Sequence, residues 1–205
     1  MQKQFQYDGS LYGITSKLFD GLFLGLLWLV CSLPVVTIGA ATTALYYSVH
    51  KSLLGDREYV FKEFILSFKK NFRQATFLWI LIMGVSFLLH LNIGILNALT
   101  DGYLGLLFIV FYALCSIFII AFAIYTFAAL SRFEMPTGWF VKIGIYMTIR
   151  YLPATLMLIL IFTVAALLFY LIPYTLFILP APVILLQRHL LERVLAKHSP
   201  DELRV

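Results

Sequence analysis

The chain has 205 residues, of which 62% are hydrophobic and only 12% are charged. Soluble domains carry about 25% charged residues, so this composition excludes a soluble globular protein. The net charge of +5 comes from basic residues grouped between apolar segments and does not indicate a nucleic-acid partner. We therefore expect one integral membrane domain over residues 1–205, an all-α polytopic helical bundle.

Six apolar segments are candidates for crossing a bilayer, which takes about 20 residues of helix. They cover about 18–33, 38–54, 74–96, 103–130, 152–172 and 175–188. The sixth contains two prolines and is predicted to be either a full span or a broken, re-entrant one. We expect no removable signal peptide, because the first sixteen residues have no continuous apolar core.

The basic residues lie on one side of this arrangement. All fifteen Lys and Arg precede the first span, follow the sixth, or lie around the second and fourth connections. The other connections, at about 34–37, 97–102 and 173–174, contain none. Because basic residues stay on the cytoplasmic side of short loops, we predict cytoplasmic termini, with a C-terminal tail at 189–205.

The connection between the first two spans combines a proline with small residues. Pro34 lies where the chain leaves the first span, and Thr37 is placed to cap the returning helix. Gly39, Ala40 and Thr43 then give the second helix a smooth flank. Small residues let membrane helices approach closely, so we predict a tightly packed helical hairpin.

Gly21 and Gly25 form a second patch of small residues, with GxxxG spacing near the cytoplasmic end of the first span. This spacing is typical of close helix contacts in membranes. It is consistent with ordinary packing inside the chain and with a contact to a helix of another protein. The sequence leaves both interpretations open.

The segment at about 57–72 shows helical spacing of apolar residues with cations beside them. This pattern predicts an amphipathic interfacial helix on the cytoplasmic surface. Its role is either that of a membrane-surface spacer or that of a docking site for a cytoplasmic partner. The candidate docking residues are Phe61, Phe64, Phe68, Lys69, Lys70, Phe72 and Arg73.

Residue patterns for chemistry are absent from the sequence. There is no HExxH, GxSxG or P-loop motif, and the four histidines do not have metal-ligand spacing. No carboxylate or lysine lies deep inside a predicted span, where it would indicate an ion pathway. We therefore expect no enzyme, no cofactor, and neither catalytic nor metal-binding residues.

Two stretches carry a resemblance, LYGITSKLFDGLFLGLLWLVCSLPVVTIGAATTALYYSVHKSL and FILSFKKNFRQATFLW. They resemble the YesL-like family of bacterial membrane proteins, a family of unknown function. The most specific parts are SLPVVTIG and FKKNFRQAT, and the resemblance is firmest before residue 80. Members look like Gram-positive proteins linked to carbohydrate uptake, often beside sugar ABC importers.

The resemblance implies a place in the bacterial plasma membrane and a set of partners. Besides the lipid bilayer, these would be the permease subunits or the solute-binding protein of a sugar ABC importer. The first functional hypothesis is therefore a non-catalytic accessory subunit or assembly factor of such an importer. The alternative is an independent permease or channel for a small neutral solute. Predicted spans without buried charge are suited to such a solute.

Overall fold

A computed structural model of the chain describes residues 19–51, 59–99 and 102–195. All regular elements in these residues are helical, which confirms the predicted all-α bundle. Parts of the predicted segments, namely residues 18, 52–54, 57–58 and 196–205, lie outside the described residues. The helices are α1 Phe19–Ser32, α2 Ile38–Lys51, α3 Val60–Leu99, α4 Tyr103–Leu130, α5 Thr137–Arg150, α6 Leu152–Leu171 and α7 Pro180–Leu195.

Three helices contain segments long and apolar enough to cross a membrane. These segments are Val60–Ile95 in α3, Gly105–Leu130 in α4 and Leu152–Leu171 in α6. Only 11 to 17% of their most apolar windows is buried inside the chain. So much exposed apolar surface is stable only when lipid or another protein covers it, and a bilayer environment follows.

The predicted interfacial helix at 57–72 and the predicted third span at 74–96 are one helix. α3 has 40 residues, which at helical rise is about 60 Å, about twice the thickness of the hydrocarbon core. The sequence from Val60 to Met83 contains neither proline nor glycine, so nothing ends the helix near residue 73. The predicted separation into two helices is therefore wrong.

The α1–α2 turn lies beside the middle of α3. The Trp79 indole Nε1 donates a hydrogen bond of 2.7 Å to the backbone oxygen of Val35. At the other end of α2, the Lys51 ammonium lies 2.8 Å from a Glu63 carboxylate oxygen. α2 therefore packs antiparallel to the first half of α3, the half that carries most of its charged residues.

The α1–α2 turn and the end of α3 lie at different levels along α3. From Trp79 to the end of α3 at Leu99 is about 30 Å along the helix, which is about the thickness of the hydrocarbon core. The sequence prediction puts the connections at 34–37 and 97–102 at the same outer surface. In the structure this distance separates the two connections along α3, so they do not lie at one level.

α2 contacts α3, α4 and α7 and has nine buried residues. Its smooth flank is the contact surface, since Ala40 and Thr43 are fully buried. A Cβ atom on Gly39 would lie 2.7 Å from the Trp79 Cβ atom and 2.8 Å from the Ala75 backbone oxygen. Glycine therefore lies where α2 comes close to α3, whereas the predicted hairpin placed this flank against α1.

The turn before α2 is closed differently from the prediction. Pro34 precedes a 3-10 turn at Val35–Thr37. The Thr37 hydroxyl donates to the backbone oxygens of Cys31 and Pro34, each at 2.6 Å. The hydroxyl therefore bonds one carbonyl in the last turn of α1 and one just after it, instead of capping the N–H groups of α2, because the 3-10 turn places it beside those carbonyls.

The Gly21 and Gly25 patch packs within the chain. A Cβ atom on Gly25 would lie 2.4 Å from the Phe177 backbone oxygen, and one on Gly21 would lie 3.8 Å from the Ala181 Cβ atom. The 3-10 turn Pro173–Phe177 and the start of α7 therefore pack against this patch. The predicted sixth span is interrupted there, because α7 begins only at Pro180, where a proline costs no hydrogen bond.

Candidate functional site

A cavity of about 510 Å³ lies among α1, α2, α3, α4, α6 and α7. This volume is in the usual range of small-molecule sites. Its lining includes no charged residue and is formed mostly by carbon atoms. Typical wall residues, one or two from each of five helices, are Leu45, Ile82, Ile120, Phe127, Phe162 and Val183.

A buried hydrogen bond between α2 and α7 forms the floor of the cavity. The Tyr46 hydroxyl donates to Gln187 Oε1 at 2.5 Å, and both side chains are buried. Elsewhere in the cavity wall, Trp28 Nε1 donates to Thr42 Oγ1 at 3.2 Å. Because these polar groups bond to one another, the cavity offers a ligand an almost wholly apolar surface.

Four charged or titratable side chains meet beyond the floor. His50 follows Tyr46 by one turn of α2, and Arg188 follows Gln187 in α7. The Glu192 Oε1 atom lies 2.6 Å from Arg188 Nε, 3.3 Å from Arg132 Nη2 and 2.9 Å from His50 Nδ1. Arg132 also contacts the other ring nitrogen of His50. We call these four residues the charged cluster.

The charged cluster joins α2, α7 and the residues that follow α4. One carboxylate lies between two guanidinium groups. Partial burial lowers the pKa of Arg132, and the Glu192 carboxylate opposes that shift. Arginine stays protonated despite such a shift, so the contact persists as an ion pair. In residues 19–51, 59–99 and 102–195, no three His, Cys, Asp or Glu side chains are placed to hold a metal ion.

The first part of the chain matches a known family. Residues 22–93 match the family described as Protein of unknown function, DUF624. The match covers about a third of the chain, and over these residues the chain is similar to DUF624. YesL-like proteins are in this family, so the resemblance drawn from the sequence motifs is confirmed. No curated protein and no solved structure matches the chain.

The DUF624 segment contains α1 from Leu22, all of α2 and most of α3. It supplies the cavity wall from these helices, the hydroxyl of the floor and one member of the charged cluster, His50. The remaining cluster residues, Arg132, Arg188 and Glu192, come from beyond the segment. The cavity and the cluster are therefore built where the DUF624 segment meets the second half of the chain.

In the structure, some of the predicted docking residues of the DUF624 segment are buried and others are exposed. Phe64 is fully buried and stacks on half-buried Phe68, with ring centroids 6.4 Å apart. Phe61 and Phe72 are exposed. Phe64 is therefore a core residue, which corrects its predicted place on a docking surface, since its side of α3 is covered by the rest of the bundle.

The basic residues of the predicted docking set remain on the surface. Lys69, Lys70 and Arg73 are all exposed. Lys70 pairs with Glu134, beyond the end of α4. Together with the two exposed phenylalanines, they form what we call the basic face of α3, namely Phe61, Lys69, Lys70, Phe72 and Arg73.

Sequence reasoning did not find the charged cluster, whose members are up to 142 positions apart, as the pair His50 and Glu192 shows (192 − 50). A weak local signal was present, because Glu192 follows Arg188 by four positions on one helix face. The cavity had no signal in the sequence, because an unfilled volume depends on how all its wall helices pack.

We predict that Glu192→Gln lowers the free energy of unfolding by about 1–2 kcal/mol, because it leaves the Arg132 and Arg188 charges without a counter-ion. The loss is below the 3–5 kcal/mol of a fully buried pair, since these side chains are 26 to 32% exposed and water screens them. The loss is measured by unfolding the purified protein with increasing amounts of a denaturing detergent.

The matched control is Glu134→Gln. Its carboxylate pairs with Lys70 at the surface and is 77% exposed, so we expect a change of about 0–0.5 kcal/mol. Equal losses for the two variants would show that Glu192 does not hold α2 and α7 together.

Proposed function

We propose that the chain is a non-catalytic accessory subunit or assembly factor of a carbohydrate ABC importer. It would cross the bacterial plasma membrane several times, with its termini in the cytoplasm. The observation that carries the proposal is the apolar cavity wall. A sugar needs several convergent hydrogen-bonding groups along its path, and the floor groups Tyr46 and Gln187 are bonded to each other.

A chain that does not itself carry a sugar would act through contacts with the permease. The resemblance to YesL-like proteins supplies the link to sugar uptake. Between the level of the α1–α2 turn and the connection that joins them, α3 and α4 expose large apolar side chains, such as Phe87, Leu91, Phe111 and Leu114. Such surfaces suit helix contacts inside the membrane, and the basic face of α3 suits a cytoplasmic contact.

The experiment is purification of the tagged full chain from its native host in mild detergent, with mass spectrometry of the bound proteins. We expect permease subunits or a solute-binding protein of a sugar importer in near-stoichiometric amounts. Lys69→Ala with Arg73→Ala is expected to reduce their recovery. The control, Lys142→Ala with Arg150→Ala, removes the same charge from exposed positions on α5 and should not. Recovery of the chain alone would reject the proposal.

A second candidate is an independent permease or channel for a small neutral solute. The size and uncharged wall of the cavity favour it. Liposomes that contain only this protein test it by solute flux. Replacement of the floor, Gln187→Leu, should alter that flux if the path runs past Tyr46, and flux equal to that of protein-free liposomes would reject this candidate.

We predict different labelling of the two turns in intact cells. In a chain whose two native cysteines are replaced by serine, Tyr103→Cys should react with a membrane-impermeant maleimide from outside. Val36→Cys should not react, because Val36 lies about 30 Å deeper along α3. Both native positions are exposed in the structure, so burial within the chain does not explain a difference. Equal labelling from outside would support six full spans instead.

A further inference from the structure

The cavity lies among the three helices that could cross a bilayer. Its wall includes residues from the middle of α3 and from the second halves of α4 and α6. These three helices are the ones long and apolar enough to span a membrane. Several wall residues are also exposed at the surface of the bundle, among them Met83 on α3 and Phe162 and Phe169 on α6. The cavity is therefore open at its side and not sealed.

Neither water nor an ion suits this cavity. An ordered water needs two to four polar partners, and the wall is carbon apart from a few groups such as Thr42 and Ser86. An ion would have no charged partner in the wall. An empty volume of this size would also forfeit the dispersion contacts of its lining. The bilayer, in contrast, presents hydrocarbon chains at the exposed side of α6.

We infer that the cavity binds one acyl chain of a membrane phospholipid, which enters from the side of α6 and ends above the floor formed by Tyr46 and Gln187. The inference does not rest on the proposed importer role. The occupant is hydrocarbon because the wall is apolar, uncharged and open to the bilayer. The floor limits how far the chain can enter, since the hydrogen bond and the charged cluster behind it close the path.

The tryptophans of the chain allow a direct test. Trp28 and Trp79 line the cavity, whereas Trp139, in the first turn of α5, packs against Phe133 and Phe140. The full chain carrying Trp139→Phe therefore reports on the cavity. In detergent, a phosphatidylcholine with brominated acyl chains is added in small molar excess, so that no bilayer surrounds the protein, and tryptophan fluorescence is measured.

We expect quenching of Trp28 and Trp79 that saturates near one lipid per chain. The matched reporter with Trp28→Phe and Trp79→Phe retains only Trp139 and should show no saturating quenching. Ala123→Phe, added to the cavity reporter, places a ring in the cavity wall and should abolish saturation. Ala113→Phe, on the exposed face of α4 outside the cavity, should leave it unchanged.

Three results would overturn the inference: no quenching, quenching that rises without saturation, or saturation that survives Ala123→Phe. The last result would place the lipid on the outer surface of the bundle. If Ala123→Phe does not give a monodisperse protein, native mass spectrometry of the unmodified chain decides. One retained phospholipid per chain supports the inference, and a chain without lipid, or with a small solute in its place, rejects it.

Discussion

Phe64→Ala is expected to lower the free energy of unfolding by about 3 kcal/mol, the size typical of a phenylalanine removed from a packed core. Phe64 is fully buried in the central cluster of the bundle and stacks on Phe68. Removing its ring leaves a void between α3 and the helices packed on it. The measurement is unfolding of the purified protein by a graded denaturing detergent.

Phe61→Ala is the matched control, one helical turn earlier on α3. Its ring is 54% exposed and has a tilted contact with Phe23 at 6.3 Å. We expect a loss below about 1 kcal/mol, as for other partly exposed positions. A similar loss for both variants would show that the first half of α3 is not packed as described.

The same pair separates folding from docking. If the basic face of α3 is a contact surface, recovery of partners should fall with Phe61→Ala although the variant loses little stability. Phe64→Ala should reduce recovery only by destabilising the chain. Unchanged recovery with Phe61→Ala, Lys69→Ala and Arg73→Ala together would remove this face from the proposed importer contact.

The contrast between Phe61 and Phe64 shows what periodicity can predict in a membrane protein. Helical spacing identifies residues that share a face, and the helix containing them was predicted. Spacing does not tell which part of an apolar face meets protein and which meets lipid, because both environments are apolar. The burial of Phe64 depends on where α2 packs. The spacing of residues within α3 does not specify that position.

Two other features were beyond the sequence for related reasons. The change from amphipathic to apolar pattern near residue 73 reflects a change of surroundings, while the backbone continues as one helix because no residue there interrupts it. The charged cluster joins α2 and α7 across more than a hundred positions. By contrast, glycine, alanine and threonine predicted a close helix contact of α2. The sequence placed that contact in a hairpin with α1, whereas Gly39 lies against Trp79 and Ala75 of α3.

Gly39→Ala tests that close packing and is expected to lower the free energy of unfolding by about 1–3 kcal/mol, as overpacking does elsewhere. The new methyl group would meet Trp79 Cβ at 2.7 Å, the Ala75 backbone oxygen at 2.8 Å and Phe127 Cε1 at 2.9 Å. The first two atoms cannot rotate away, because they belong to the frame of α3. α2 would have to move, and with it the cavity wall.

Gly84→Ala is the control for the same chemical change. A Cβ atom at Gly84 would meet no atom within 4 Å, and alanine favours a helix over glycine by up to about 1 kcal/mol. Thermal unfolding followed by gel filtration should therefore show a lower midpoint for Gly39→Ala and an equal or higher midpoint for Gly84→Ala. If Gly39→Ala kept the native midpoint, α2 and α3 could not approach as closely as described. The depth of the α1–α2 turn, which rests on that contact, would then need revision.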